Sequence, residues 1–226
     1  MTLFSNADIL AISCFLGAWV IYAFLLERSP YGRKSLSARM NIYREVWMRR
    51  TLDRDPRMVD MQIMASLQNG TAFFASTSLL AIGGGLTLLR SSEEAVNVLS
   101  TLPVEIRASS ALWEVKCIGL VVIFIYAFFK FAWSYRLFNY VAMMLGAMPF
   151  SDKSDTPEAQ SHVMRTTRLF QSAGRHFNQG QRGFQFALGY LGWFISPWVL
   201  IATTIAVVVV MWRRQFNSDA RDALIK

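Results

Sequence analysis

Residues 9–26 read ILAISCFLGAWVIYAFLL, eighteen positions without one charged side chain. As a helix rising 1.5 Å per residue the run covers about 27 Å, close to the hydrocarbon thickness of a bilayer. A soluble core does not need a helix that is apolar on every face. The run ends in Glu27-Arg28-Ser29-Pro30, and residues 1–7 hold no Lys or Arg. A cleaved secretory leader needs a basic start and a small-residue exit, so this segment is expected to persist as an anchor.

Further along the chain, residues 70–89 form a second uncharged run. A third begins near Lys116, is apolar to Phe129, then takes in Lys130 and Arg136 and continues to Met148 before Pro149. As one helix, residues 116–148 would be about 50 Å long, more than the hydrocarbon needs, so the C-terminal part is expected to emerge from it or tilt. A fourth run, 184–212, is interrupted at Ser196-Pro197, where a kink is expected because proline lacks the amide that would bond the Trp193 carbonyl. Composition agrees: 54% of residues are hydrophobic and 17% charged, more apolar than an ordinary soluble domain. The expected fold is an all-α integral membrane helical bundle, one domain over residues 1–226, with four transmembrane helices at about 9–26, 70–89, 116–138 and 184–212.

The connections predict further helices. Leu36, Met40, Tyr43 and Trp47 recur at steps of three and four while Arg39, Arg44 and Arg49 turn elsewhere. That spacing predicts an amphipathic helix over 36–51 lying on headgroups. Asp55-Pro56 has the chemistry of an N-cap and first helical position, and predicts a helix over 56–68 that leads into the second span. Ser91 with Glu94 has capping-box spacing, and Pro103 would end the short helix so begun. Thr156-Pro157-Glu158 predicts another start, for a helix over 157–180. Its apolar seam, Ala159, Val163, Thr166, Phe170, Ala173 and Phe177, needs a partner helix.

The formal charge is +8, but 14 of the 23 basic residues lie in two connections, 27–65 and 139–183. That clustering reads as membrane topology rather than affinity for nucleic acid. Putting the first and third connections in the cytoplasm places 14 Lys and Arg there against 7 outside, which sets the N-terminus in the periplasm. The basic tail, with Arg213 and Arg214, argues the other way.

Several spaced motifs now stand together: Asp55-x-Arg57-x-x-Asp60; Phe73-Phe74-Ala75-Ser76-Thr77 with the glycines that follow; Lys130-Phe131-x-Trp133-x-x-Arg136-x-x-Asn139-Tyr140; and Phe177-Asn178 through Arg182 to Pro197-Trp198. In these, over nearly its whole length, the chain resembles a bacterial membrane family catalogued as domain of unknown function 599. The resemblance implies a four-span membrane protein and supplies no activity, substrate or cofactor.

Among residues that might carry chemistry, Lys130 stands out, since an ammonium at mid-bilayer costs about 2.5–3.5 kcal/mol and often marks an ion path or a partner. The ordinary reading is that its stem carries the charge out to the interface. Arg136, Asn139 and Tyr140 follow on the same helix, where headgroup contact is the plain expectation and an anionic ligand the sharper one. Gly83-Gly84-Gly85 and Pro197 suit either a broken helix of the transporter kind or close packing, and Thr77, Ala81 and Gly85 form a small-residue stripe. His162 and His176, fourteen residues apart on one helix, are separated by about 21 Å and share no metal within one chain. Cys14 and Cys117 sit within apolar runs and read as small hydrophobes.

Walker, dinucleotide, zincin and nucleophile-elbow patterns do not occur, so no cofactor is implied and an enzyme is disfavoured. The expected role is an inner-membrane structural or accessory protein in contact with membrane lipid, self-associated or bound to a membrane-protein partner. The alternative is a homo-oligomeric channel or transporter for a small ion or solute.

Overall fold

The computed structural model describes residues 4–90 and 109–224. Six long helices follow one another: α1 (Asn6–Glu27), α2 (Leu36–Thr51), α3 (Met58–Arg90), α4 (Ser110–Gly146), α5 (Pro157–Tyr190) and α6 (Pro197–Phe216), with no strand among the described residues. Four segments are long and apolar enough to cross a membrane: Asn6–Glu27, Met58–Arg90, Ser110–Gly146 and Pro197–Asp222. The all-α architecture and its four apolar helices are as expected.

Side-chain contacts fix the helix directions. Phe74 stacks on Phe131 at 5.3 Å, and Gln68 donates to Asn139 at 2.7 Å, so α3 and α4 are antiparallel. The Ser134 hydroxyl donates to the Ala173 carbonyl at 2.8 Å, and Phe138 meets Phe170 at 6.0 Å, which makes α5 antiparallel to α4. Thr203 donates to the Gly189 carbonyl at 2.7 Å, and a Cβ on Gly189 would lie 3.3 Å from Val207. The chain therefore reverses at residues 191–196, and α6 returns along the upper half of α5.

Two apolar cores are stacked along the bundle. One, at the basic end, gathers Met48, Leu52, Met64, Leu137, Phe138, Val141, Val163 and Phe170. The other, towards the far end, gathers Phe15, Leu120, Ile123, Phe186, Tyr190, Trp193 and Leu200. Helices α3 and α4, at 33 and 37 residues, run about 50–55 Å, some 20 Å more than hydrocarbon requires. The surplus length, with α2 and the first half of α5, builds the basic-end core.

Several expectations are corrected. The segment 184–212 is not one kinked span: residues 184–190 finish α5, Ser196 caps α6 by accepting from the Val199 amide, and Pro197 takes the first helical position. Proline at that position loses no helical bond, so it starts a helix here instead of bending one. The helix expected over 56–68 begins at Met58 and leads into the second span without interruption, the two forming one helix, α3. Asp55 does not cap that helix; its carboxylate accepts from the Ser151 amide at 2.9 Å, which pulls the carboxyl below its ordinary value. The helix expected over 157–180 extends to Tyr190, with Thr156 accepting from the Ala159 amide as its N-cap. Its seam is buried against α4 of the same chain, with Ala159, Thr166 and Ala173 fully enclosed. That contact removes the seam as a reason for self-association. The capping pair Ser91 and Glu94, with Pro103, lies outside the described residues.

Because α6 comes back, the residues after it lie at the same end as the first connection. Gln215 accepts from Ser37, and Arg221 donates to the Lys34 carbonyl at 3.0 Å. The basic tail that opposed the charge count thus joins the basic end.

Candidate anion-binding site

The foot of α1, the turn Pro30–Lys34, the start of α2, the middle of α5 and the foot of α6 enclose a polar recess of about 570 Å³. Arg28, Arg33, Arg175, Arg182 and Arg214 line it, with Glu27 as the carboxylate in its wall. Arg28, Arg33 and Arg214 come from helix ends or the adjoining turn and Arg175 and Arg182 from the middle of α5, so guanidinium groups from three distant stretches of chain converge. Arg182 is nearly buried and donates to Glu27, which also accepts from Gln179 at 3.0 Å. Arg28, Arg33, Arg175 and Arg214 form no ion pair among the described residues. Ser37, Asn178 and Gln215 complete a polar wall: Asn178 donates to the Ser37 hydroxyl at 3.3 Å, and that hydroxyl donates to Gln215 at 3.1 Å.

Above the recess an aromatic layer closes the bundle. Trp19 stacks on Phe186 at 4.8 Å, and Phe15 meets Phe186 and Tyr190 edge-on. Beyond that layer, Trp193 donates to the buried Asp8 carboxylate at 2.8 Å, and the Lys116 ammonium lies 5.4 Å over the Trp193 ring. Two polar regions are thus separated by stacked rings.

The residues singled out in the sequence scatter around this site. Lys130 is half-buried, with its ammonium 5.4 Å over the Tyr126 ring and near enough to Glu27 and His176 to act on both electrostatically. Arg136 stays with its own helix, donating to the Tyr140 hydroxyl at 2.6 Å and lying over the Trp133 ring. Asn139 accepts from Gln68 and ties α4 to α3. Helix α3 runs unbroken through Gly83-Gly84-Gly85; Gly85 meets Val121, where a Cβ would lie 2.6 Å from Cγ2, while Gly83 and Gly84 border open space. Thr77 is half-buried and donates to the Phe73 carbonyl, and Ala81 lies on the same helix. None of these residues lines the recess.

A second polar knot joins the first and third connections. Arg57 donates to the Thr51, Met148 and Pro149 carbonyls at 3.1, 3.1 and 2.6 Å. Asp60, 1% exposed, accepts from the Trp47 indole at 2.5 Å and from Arg54 at 3.1 Å. The motif Asp55-x-Arg57-x-x-Asp60 is therefore a clamp that holds α2, α3 and the 149–151 turn in register.

Against this geometry, residues 10–220 match a family model described as "Protein of unknown function, DUF599". The chain belongs to the DUF599 family. No curated protein and no solved structure matches it. Placed on the DUF599 chain, the motifs separate by position. The first is the clamp, the second and third meet where Phe74 packs on Phe131, and the fourth brings Asn178 and Arg182 to the recess.

The recess was missed from sequence because its residues are far apart in the chain, Glu27 and Arg182 by 155 positions. A usable signal existed: Glu27 ends an apolar run, and such a carboxylate at a span terminus calls for a partner cation.

Proposed function

We propose that this DUF599 chain is an integral protein of a bacterial inner membrane, with the start of α1 in the periplasm and the basic end in the cytoplasm. In that membrane it acts as an accessory protein that holds a phosphate-bearing anion in the arginine-lined recess. The orientation follows from charge: residues 27–65, 139–183 and 213–221 hold 17 of the 23 Lys and Arg residues, and all three segments belong to the basic end. The observation that carries the ligand class is the set of four unpaired guanidinium groups around one recess. Like charges held together repel one another, and a bound anion relieves that repulsion through forked, charge-assisted hydrogen bonds.

The aromatic layer supports a binding role over conduction, because it stands across the path from the recess to the far end within one chain. A channel would have to form between copies.

The test is thermal unfolding of purified protein in detergent with inorganic phosphate, against chloride at matched ionic strength. A ligand that binds only the folded state adds about 2.7 kcal/mol at a hundredfold excess over its dissociation constant. Phosphate is expected to raise the midpoint, and the triple variant Arg33→Gln, Arg175→Gln, Arg214→Gln to lose most of that rise. A wild type indifferent to phosphate, or a triple variant that responds equally, ends the proposal.

A further inference from the structure

Between α2 and the lower parts of α3 and α5 lies a second cavity, a groove of about 660 Å³ with a mainly apolar lining that includes Trp47, Leu67, Phe138, Phe170 and Phe177. Its size is that of a small-molecule site. Arg44, Arg50 and Arg54 also line it. Arg54 is committed to Asp60, whereas Arg44 and Arg50 form no ion pair among the described residues.

Arg44 is the unusual one. Its guanidinium lies 5.4 Å over the Phe170 ring and donates to the Asn41 side-chain carbonyl at 2.5 Å. A Cβ at residue 174 would come within 2.5–2.6 Å of all three outer guanidinium atoms, so glycine there leaves the space the group occupies. The fold thus builds a cradle for a cation in an apolar groove and provides no carboxylate to match it. Burial holds the Arg44 guanidinium below its ordinary value, a direction that a bound anion reverses.

The groove's place in the bundle selects the anion. Its α3 wall, Ile63 to Thr71, reaches into the first residues of the uncharged run 70–89, where the acyl region meets the headgroup layer. Ile63 and Leu67 are themselves open to the surroundings, so the apolar lining continues onto the bilayer-facing side of α3. A free phosphate would satisfy the arginines and leave the apolar lining bare. We infer that the groove binds one anionic glycerophospholipid, with its phosphate on Arg44 and Arg50 and an acyl chain against Phe138, Phe170 and Leu67. This site borders the arginine-lined recess at Asn178 but shares none of its arginines and does not depend on it.

The test is native mass measurement of delipidated full-length protein given dioleoyl phosphatidylglycerol, dioleoylglycerol or inorganic phosphate. Phosphatidylglycerol is expected to be retained at one molecule per chain. Arg44→Gln, and independently Gly174→Ala, which keeps the arginine but takes its space, are each expected to weaken retention about tenfold. If Arg44→Gln proves unstable, the exposed Arg50→Gln carries the test with a several-fold loss. The recess triple variant is expected to retain the lipid, so failure here and failure of the phosphate proposal are distinguishable. Equal retention by the folded groove variants, equal binding of the uncharged dioleoylglycerol, or displacement of the lipid by inorganic phosphate would each overturn the inference.

Discussion

Glu27→Ala should lower the unfolding midpoint by roughly 4–12 °C, the shift expected of about 2–3 kcal/mol in a chain of this size. Arg182 is 9% exposed, and its carboxylate partner is Glu27. Removing one member of a buried pair costs about 3–5 kcal/mol because the remaining charge stays desolvated. A smaller loss, about 2–3 kcal/mol, applies here because the Glu27 side chain is 32% exposed and solvent screens it. The double variant Glu27→Ala, Arg182→Met should regain most of the loss, since an apolar side chain of similar length needs no counter-charge. If the double variant is no more stable than the single, the pair is not what stabilises this junction of α1 and α5. Binding should separate from stability: the double variant removes a positive and a negative charge together and keeps the four unpaired arginines, so it should still hold phosphate.

Arg57→Ala should cost a comparable amount, about 2–3 kcal/mol, through a different mechanism. The Arg57 side chain is 12% exposed and serves three backbone carbonyls from two connections. Each charge-assisted hydrogen bond is worth about 1.5–3 kcal/mol, and the contributions are not additive when one group makes all three. Truncation leaves the Met148 and Pro149 carbonyls without this donor and frees the 149–151 turn. Hydrogen exchange should therefore accelerate at residues 149–156 and 51–58 before it changes in α1 or α6. Uniform acceleration across all helices would argue that Arg57 contributes to general stability and is not a local clamp. Lysine should not rescue it, because one ammonium cannot span three carbonyls in the planar fork that guanidinium offers.

The residues that made the fold legible are those whose signals are local. Uncharged runs marked α1 and the upper part of α3 at once, and Thr156-Pro157 marked the start of α5. Pro197 carried an equally clear local signal, yet two structures share it: proline within a helix bends it, while proline after a serine cap begins one. The sequence could not choose, because the deciding contact is Thr203 on Gly189, formed only once the chain has reversed. Asp55 failed for a similar reason, since a carboxylate able to cap α3 instead reaches the Ser151 amide 96 residues away. The recess was harder still. Arginine at the end of an apolar run is routine, and only the packing of five segments turns scattered arginines into one site. Lys130, the most conspicuous residue in sequence, lies beside that site, with Tyr126 beneath its charge.

Helix α6 returns to the basic end, which sets the residues following it at the same end of the bundle as the first and third connections. A background lacking Cys14 and Cys117, with single cysteines placed at Asn6, Ser151 or Ser218, tests this with a membrane-impermeant thiol reagent on spheroplasts. Residue 6 should be labelled in intact spheroplasts, and residues 151 and 218 only after the membrane is opened. Labelling of residue 218 from outside, with residue 151 still protected, would put the two on opposite faces and contradict that return.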